Sequence, residues 1–149
     1  MKKLALSLLC LFAPLAHADS ELTEASIRSL YEQVAADASK RDIDATLAHM
    51  SDDVRIHISA PTGSIELDAG KYRQLLQQGW GGLDSYRMEV AIESIEIAAD
   101  GQSATVKDTT KETLSMQGHE MSTGMQETAS LRLIDGEPKI VRIEATIQP

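Results

Sequence analysis

The sequence predicts an α+β fold in which three N-terminal helices pack on a strongly curved, mostly antiparallel β-sheet to form a cone. Apolar residues recur at helical spacing in the first half of the chain and alternate with polar residues in the second half. Turn sequences separate the alternating stretches, and no repeat, low-complexity segment or linker interrupts them. Helices followed by a β-meander in a chain of 149 residues indicate helices on one sheet face.

A secretory signal over residues 1–18 is expected to precede this domain. Two lysines are followed by a short apolar run and an A-x-A end, which predicts cleavage after Ala18. Residues 19–149 would then form a single periplasmic or secreted domain. The only cysteine, Cys10, would leave with the signal, so neither a disulfide nor thiol chemistry is expected. A bulky residue precedes Cys10, which argues against a lipid anchor.

The charge distribution limits the expected partners. The formal net charge is −9, and the basic residues form no stripe. Nucleic acid and anionic membrane surfaces are therefore poor partners. The apolar run of the signal is too short to span a bilayer, so no membrane anchor is expected.

Each predicted helix begins after a capping residue. These residues are Thr23, Asp42 and Asp68, whose side chains can accept hydrogen bonds from the first helical turn. The third helix is expected to end at the glycines of residues 79–82. The first helix presents one apolar face, formed by Ile27, Leu30, Tyr31, Val34 and Ala38.

Six strands are predicted from alternation and turn sequences. A short strand over residues 54–59 leads through the turn at 61–64 to a partner strand over residues 65–67. Four longer strands follow and are joined by hairpins. The predicted hairpin turns are Asp100-Gly101, Gly118-His119 and Asp135-Gly136.

A two-residue loop at Gly118-His119 would set the pairing of the two central long strands. It places Met116 opposite Met121 and Thr110 opposite Glu127. One face then collects nearly every apolar residue of both strands, and the other carries Thr, Ser, Lys and Arg. Because a one-residue slip would exchange the two faces, this sorting predicts which face meets the helices.

The outer long strands extend the same face. In the first, the apolar phase changes, which predicts a β-bulge near Glu93-Ser94 that brings Ile92 opposite Asp108 and Met88 opposite Glu112. In the last, a three-residue loop at 135–137 would add further apolar residues. These are Val141, Ile143, Ala145 and Ile147.

Two segments resemble the nuclear transport factor 2-like superfamily, which includes ketosteroid isomerases and SnoaL-like polyketide cyclases. Residues 42–54, DIDATLAHMSDDV, resemble its passage from the second helix into the first strand. The Asp135-Gly136 turn before Lys139-Ile140 resembles its final strand. The resemblance covers nearly the whole mature chain and implies the cystatin-like α+β cone, but the superfamily's pocket hosts unrelated chemistries.

The resemblance to ketosteroid isomerases does not extend to their catalytic groups. Those enzymes have an aspartate just before a Pro-x-Gly-Ser turn and a tyrosine on the first helix. Here residues 61–64 resemble the turn, but Ala60 precedes it, and an ungapped alignment gives Ile58. The tyrosine position falls on Val34, with Tyr31 about one turn earlier. Steroid isomerase activity is therefore not expected.

Three carboxylates, Asp108, Glu112 and Glu127, share the predicted inner face. In the predicted register, Thr110 lies opposite Glu127 and the other two acids lie diagonally from it. Carboxylates crowded in a partly dry pocket repel one another, so at least one should keep its proton to higher pH, as a general acid or base requires. Alternatively, they line an open, hydrated mouth and have no catalytic role.

The inner face and the helices are expected to enclose a pocket for a small ligand. Trp80 is either a lid hinged by its neighbouring glycines or a plug at the end of the core. The predicted ligand-binding residues are Tyr72, Trp80, Tyr86, Met88, Thr110, Met125 and Glu127.

No cofactor or metal is expected. Three methionines at positions 116, 121 and 125 surround His119, and thioether and imidazole groups can bind Cu(I). An apolar cross-strand pair of methionines beside a turn histidine is the simpler interpretation. The other histidines lack the spacing of a zinc site.

Three classes of function fit these features. The first is an exported domain that binds a small, largely apolar ligand carrying a hydrogen-bond donor or a positive charge. The second is an acid–base enzyme, a lyase, isomerase or hydrolase, that uses Glu127 with Asp108 or Glu112. The third is a ligand-free protein-interaction module. The resemblance also implies a homodimer through the outer sheet face, which should be weak because that face is polar.

Overall fold

The computed structural model describes residues 20–149, which form three helices and one six-stranded sheet. The predicted signal and its cleavage site lie outside the described residues. The helices are α1 (Glu24–Ser39), α2 (Ile43–Ala48) and α3 (Ala69–Trp80). The strands are β1 (Met50–Ala60), β2 (Gly63–Leu67), β3 (Ser85–Ile97), β4 (Ser103–Met116), β5 (His119–Ile134) and β6 (Glu137–Ile147).

All three predicted helix caps are present. The Thr23 hydroxyl accepts a hydrogen bond from the Ser26 backbone N–H, and the Ser26 hydroxyl accepts one from the Thr23 backbone N–H, which completes a capping box. Asp42 and Asp68 accept from backbone N–H groups in the first turns of α2 and α3. Every predicted apolar residue of α1 is buried. Local chemistry thus sets where each helix begins.

The sheet is open and has the strand order β2-β1-β6-β5-β4-β3. All neighbouring strands are antiparallel except β1 and β6, which are parallel. The predicted bulge in β3 is present at Glu93, with Ile92 opposite Asp108 and Met88 opposite Glu112 as expected. Bulges increase local twist and bend a strand, so they help to curve the sheet around the helices. The predicted α+β cone is therefore confirmed.

The predicted turn between β4 and β5 was wrong by one residue, and the register by two. The turn residues are Gln117 and Gly118, which both have positive φ, and Met116 pairs with His119. These angles are those of a type I′ turn, which requires positive φ at both positions, and glycine adopts positive φ at no steric cost. The correction places Glu127 opposite Asp108 instead of Thr110. Both side chains stay on the inner face because a two-residue slip preserves the faces.

The turn between β5 and β6 also has two residues, Asp135 and Gly136, rather than the three expected. A bulge follows in β6, where the pairing shifts between Ser130 and Leu131. Ile140 therefore enters the core, and Val141, predicted to face inward, borders an outer-face groove beside Thr105. The inward positions predicted for the rest of β6 are confirmed from Ile143 onward.

The main core lies between α1 and the inner sheet face at the narrow end of the cone. It includes Ile27, Val54, Val106 and Leu131, all fully buried. A second, smaller cluster joins α1 to α3 around Trp80. Among residues 20–149, no helix has both the length and the apolar character needed to cross a bilayer.

Candidate ligand pocket

A cavity of about 360 Å³ lies between α3 and the inner sheet face at the wide end of the cone. Its walls are mostly aliphatic and aromatic, which is typical of sites for small organic molecules. Polar groups are few and include Glu112, Thr123 and Glu127. The apolar wall residues are Ile56, Ile58, Tyr72, Leu75, Leu76, Trp80, Leu83, Tyr86, Met88, Leu114, Met125, Ile143, Ala145 and Ile147.

A smaller chamber of about 50 Å³ lies deeper in the cone, toward α1. It shares Tyr72, Trp80 and Glu127 with the larger cavity, so these side chains stand between the two spaces. Its own polar wall includes Tyr31 and Thr110. The inner end of the pocket therefore carries hydroxyl groups of its own next to Glu127.

Glu127 lies in the middle of the inner face, where the sheet register gives it two direct neighbours. Asp108 of β4 pairs with it on one side, and Ala145 of β6 pairs with it on the other. Glu127 makes no side-chain hydrogen bond to any residue that the structure describes, although it lines both spaces. The Glu127 carboxyl group is therefore available to form a hydrogen bond with a ligand in the cavity.

Burial, together with the nearby carboxylates of Asp108 and Glu112, raises the pKa of Glu127 to about 8. At neutral pH most molecules therefore carry a neutral Glu127, which can both donate and accept a hydrogen bond. The crowding expected from the sequence contributes to this shift, but loss of hydration is the larger cause.

Asp108 is fully buried, with 1% of its surface exposed, and lines neither space. Burial raises its pKa to about 6, while the Thr110 hydroxyl, which donates to Asp108 Oδ1 at 3.2 Å, opposes the rise. Asp108 Oδ2 and the Tyr31 hydroxyl have no hydrogen-bond partner among the described residues. Tyr31 is close enough to lower the Asp108 pKa but does not reach hydrogen-bond geometry. Asp108 therefore acts on Glu127, not on a ligand.

Glu112 belongs to the wall near the mouth and is held by an aromatic pair. The Tyr86 hydroxyl donates a hydrogen bond to Glu112 Oε1 at 2.6 Å. The Tyr86 ring packs against Trp80, with 5.2 Å between the ring centroids. Because Trp80 is buried at the end of α3 and contributes to both spaces, it is a wall of the pocket rather than a mobile cover.

The structure brings together most of the residues predicted to bind a ligand. Thr110 differs, because it borders only the inner chamber and points toward Asp108. The sequence predicted a pocket lined by aliphatic and methionine side chains, but the predicted ligand-binding residues do not include Ile58, Leu75 and Leu83, which lie in the wall. These residues fit the apolar pattern of any core, so no local signal distinguishes a cavity wall from a filled interior.

The positions that correspond to catalytic groups in ketosteroid isomerases are apolar here. Ile58 lines the larger cavity, and Val34 lines the inner chamber. Tyr31 does border the chamber, but it faces Asp108 rather than an acid at the Ile58 position. The described pocket thus lacks the pair of groups on which that chemistry depends.

The outer sheet face carries an arrangement that resembles a hydrolytic triad. Ser59 Oγ lies 3.5 Å from His57 Nε2, and His57 Nδ1 lies 3.4 Å from Glu144 Oε2. Both distances exceed the 2.6–3.2 Å expected for an activated nucleophile. Ser59 also pairs with strands on both sides, so its backbone is committed to the sheet rather than to stabilising an oxyanion. This cluster is therefore a set of surface contacts.

Within residues 20–149, no group of three or more His, Cys, Asp or Glu side chains is arranged to hold a metal ion. The methionine and histidine cluster is also divided. Met116 pairs with His119, Met121 pairs with Leu114, and Met125 lines the cavity. These positions give Met125 a place in the ligand pocket and leave the other two methionines at the hairpin.

The model of the SnoaL-like domain matches residues 27–147. The chain belongs to the SnoaL-like domain family. This match and the architecture confirm the resemblance to the nuclear transport factor 2-like superfamily. No curated protein is significantly similar in sequence to this SnoaL-like chain.

Solved structures share the fold at low sequence identity. A conserved protein from Planctomyces limnophilus is 17% identical, with a TM-score of 0.73 over 85% of this chain and 96% of that chain. A ketosteroid isomerase-like protein from Erwinia carotovora is 18% identical, with a TM-score of 0.65 over 84% and 96%. A type 2 hexachlorocyclohexane dehydrochlorinase is 13% identical, with a TM-score of 0.68 over 84% of each chain.

Proposed function

We propose that this SnoaL-like protein is an exported domain that binds a small, largely apolar, uncharged ligand through Glu127. The observation that carries this proposal is a cavity of about 360 Å³ whose mostly apolar wall includes a carboxyl group with a pKa of about 8. A neutral carboxyl group in such a site can donate a hydrogen bond to a carbonyl or hydroxyl oxygen. The sequence had suggested a ligand with a donor or positive charge, and the raised pKa favours a neutral acceptor instead.

Two further observations support binding over a ligand-free interaction module. The wide end of the cone holds a cavity of about 360 Å³ instead of a filled core. The names of two proteins with this fold refer to small, largely apolar molecules, a ketosteroid and hexachlorocyclohexane. The domain thus has the shape and the wall chemistry of a small-molecule site.

The test uses the fluorescence of Trp80, the only tryptophan in the sequence, which lies in the cavity wall. Cyclohexyl methyl ketone and 1-cyclohexylethylamine have nearly the same shape but differ in charge. The ketone should bind at pH 6–7 and weaken as the pH rises through 8, because Glu127 then loses its proton. Glu127→Gln keeps a donor and should remove this pH dependence.

An amine that binds more tightly than the ketone at pH 7 would contradict a neutral Glu127. A fluorescence signal from neither probe, at concentrations near their solubility limits, would count against a ligand pocket. The matched control is Glu120→Gln, because Glu120 is exposed on β5 and lies on the outer face. This variant should bind the ketone as the wild type does.

The second candidate function is acid–base catalysis, and the coupling of Glu127 to Asp108 favours it. Their pKa values of about 8 and 6 leave one group protonated and the other mostly ionised at neutral pH. Of these two acids, Glu127 borders the cavity and Asp108 does not, so Glu127 is the one placed to exchange a proton with a substrate. Deuterium exchange at the carbons beside the ketone carbonyl, followed by NMR, tests this role. Catalysed exchange should increase as Glu127 ionises and should be absent in Glu127→Gln.

A further inference from the structure

Resting on the proposed function, we infer that the ligand is a single-chain amphiphile that binds with its neutral polar head at Glu127 and its hydrocarbon chain leading out over an apolar rim. The rim consists of four exposed side chains around the cavity mouth. They are Ile65, Leu75, Met116 and Met121, with 48%, 38%, 46% and 55% of their surfaces exposed. Exposed apolar side chains grouped around a cavity indicate a contact surface.

The polarity of the pocket gives the orientation of the ligand. Glu127 stands at the inner end of the larger cavity, where Tyr31 and Thr110 continue a polar wall into the inner chamber. Toward the mouth, the wall includes Leu75 and Leu114, and the one carboxylate there, Glu112, already accepts a hydrogen bond from the Tyr86 hydroxyl. A polar head is therefore best accommodated at the inner end, and an apolar chain at the mouth.

The rim adjoins apolar residues of the cavity wall on three sides. Leu75 of α3 belongs to both the wall and the rim. Met121 pairs directly with Leu114, a wall residue on the same inner face. Ile65 pairs with Ile58, another wall residue. A chain leaving the mouth would therefore meet apolar surface immediately.

The β4–β5 hairpin extends this surface beyond the helices. Met116 lies two residues after Leu114, so alternation places it on the same face of the strand. Methionine is flexible and polarisable, so two such residues can follow a chain of variable conformation. This property suits a hydrocarbon chain better than a rigid polycyclic ligand.

The charges in the pocket select the head group. Asp108 is directly opposite Glu127, and Glu112 belongs to the same cavity wall. A carboxylate or phosphate head would have to enter beside these acids without a described cation in the wall, which desolvation and repulsion both oppose. A ketone, alcohol or amide head can instead accept the Glu127 proton in a hydrogen bond.

The size of the cavity sets the chain length beyond which the ligand must also contact the rim. A volume of about 360 Å³ holds roughly twelve groups of the size of a water molecule, at about 30 Å³ each. A 2-alkanone with about ten to twelve carbons would fill it. Each further methylene must lie on the rim, where only one side of the chain is covered.

The experiment is a series of 2-alkanones from six to sixteen carbons, titrated against Trp80 fluorescence in the mature protein. Within the cavity, each methylene should tighten binding by about fourfold, the equivalent of its burial. Beyond about twelve carbons the gain should fall to about twofold per methylene but continue. The double variant Met116→Ser/Met121→Ser should remove that second gain and leave the affinity for the short ketones unchanged. Ile97→Ser removes an exposed apolar side chain near the β3–β4 turn and should change neither.

The outcomes separate this inference from the proposed function. If short ketones bind but affinity stops increasing at about twelve carbons, the rim has no role and the ligand pocket stands. Equal losses for short and long ketones in the double variant would also overturn the inference. If no ketone of any length binds, both the proposed ligand pocket and the inference of an amphiphilic ligand are wrong. The wild-type chain-length series distinguishes these outcomes even if the double variant does not fold.

Discussion

Replacing Glu127 with glutamine should make the folded protein more stable near neutral pH. The folded protein holds the Glu127 proton up to a pKa of about 8, whereas an exposed glutamate releases it near 4.5. Between these values the folded state binds more protons than the unfolded state, so the free energy of unfolding of the wild type falls as the pH rises. Glutamine does not titrate and carries no charge beside Asp108. The variant therefore loses this part of the pH dependence.

The size of the effect follows from the width of the titration window. When the folded state binds one proton more than the unfolded state, the free energy of unfolding falls by about 1.4 kcal/mol for each unit of pH increase. Between pH 5 and pH 7 this amounts to at most about 2.7 kcal/mol. Because Glu127 is half-buried beside a cavity, we expect roughly 2 kcal/mol, or a change of about 8 °C in Tm for a domain of this size.

The measurement is thermal unfolding of the wild type and Glu127→Gln from pH 5 to pH 8, followed by circular dichroism. The difference in Tm between the two proteins should increase steadily over this range. Asp108 contributes to both curves, so its titration largely cancels in the difference. Glu120→Gln, on the outer face of β5, should give a difference from the wild type that does not change with pH. Superimposed curves for the wild type and Glu127→Gln would mean that Glu127 is an ordinary hydrated side chain.

Three further predictions concern the hairpin, the N-terminus and the outer face. Gln117→Asn should stabilise the protein by roughly 0.5 kcal/mol in urea unfolding, because Gln117 has a φ of 52° and asparagine tolerates that conformation better. A loss of stability would argue for a turn one residue later. The exported protein should begin at Asp19 without a lipid, and an intact-mass spectrum that retains the signal would refute this. Any homodimer through the outer face should dissociate on dilution, since that face carries mainly Thr, Ser, Lys and Arg. Sedimentation that shows a salt-resistant dimer at nanomolar concentration would contradict this prediction.

The sequence by itself determined the elements and the faces of the sheet. Thr23, Asp42 and Asp68 mark the helix starts because capping depends on groups within one turn. The bulge at Glu93 is visible as a change of apolar phase within one strand. Alternation also identified the inner face on which Glu127 lies. All of these features depend on neighbours close in the chain.

Only the tertiary structure decided which residues meet across the sheet and which border the cavity. Alternation has a period of two, so the sequence pattern is the same after a two-residue slip, and only the positive φ angles at Gln117 and Gly118 select Asp108 as the partner of Glu127. Asp108 is buried beside the Tyr31 side chain of α1 and borders neither space, whereas Glu127 on the adjacent strand borders both. Such a difference depends on packing between segments distant in sequence. For this reason a list of acids on one face could not distinguish the residue that meets a ligand from the residue that sets its pKa.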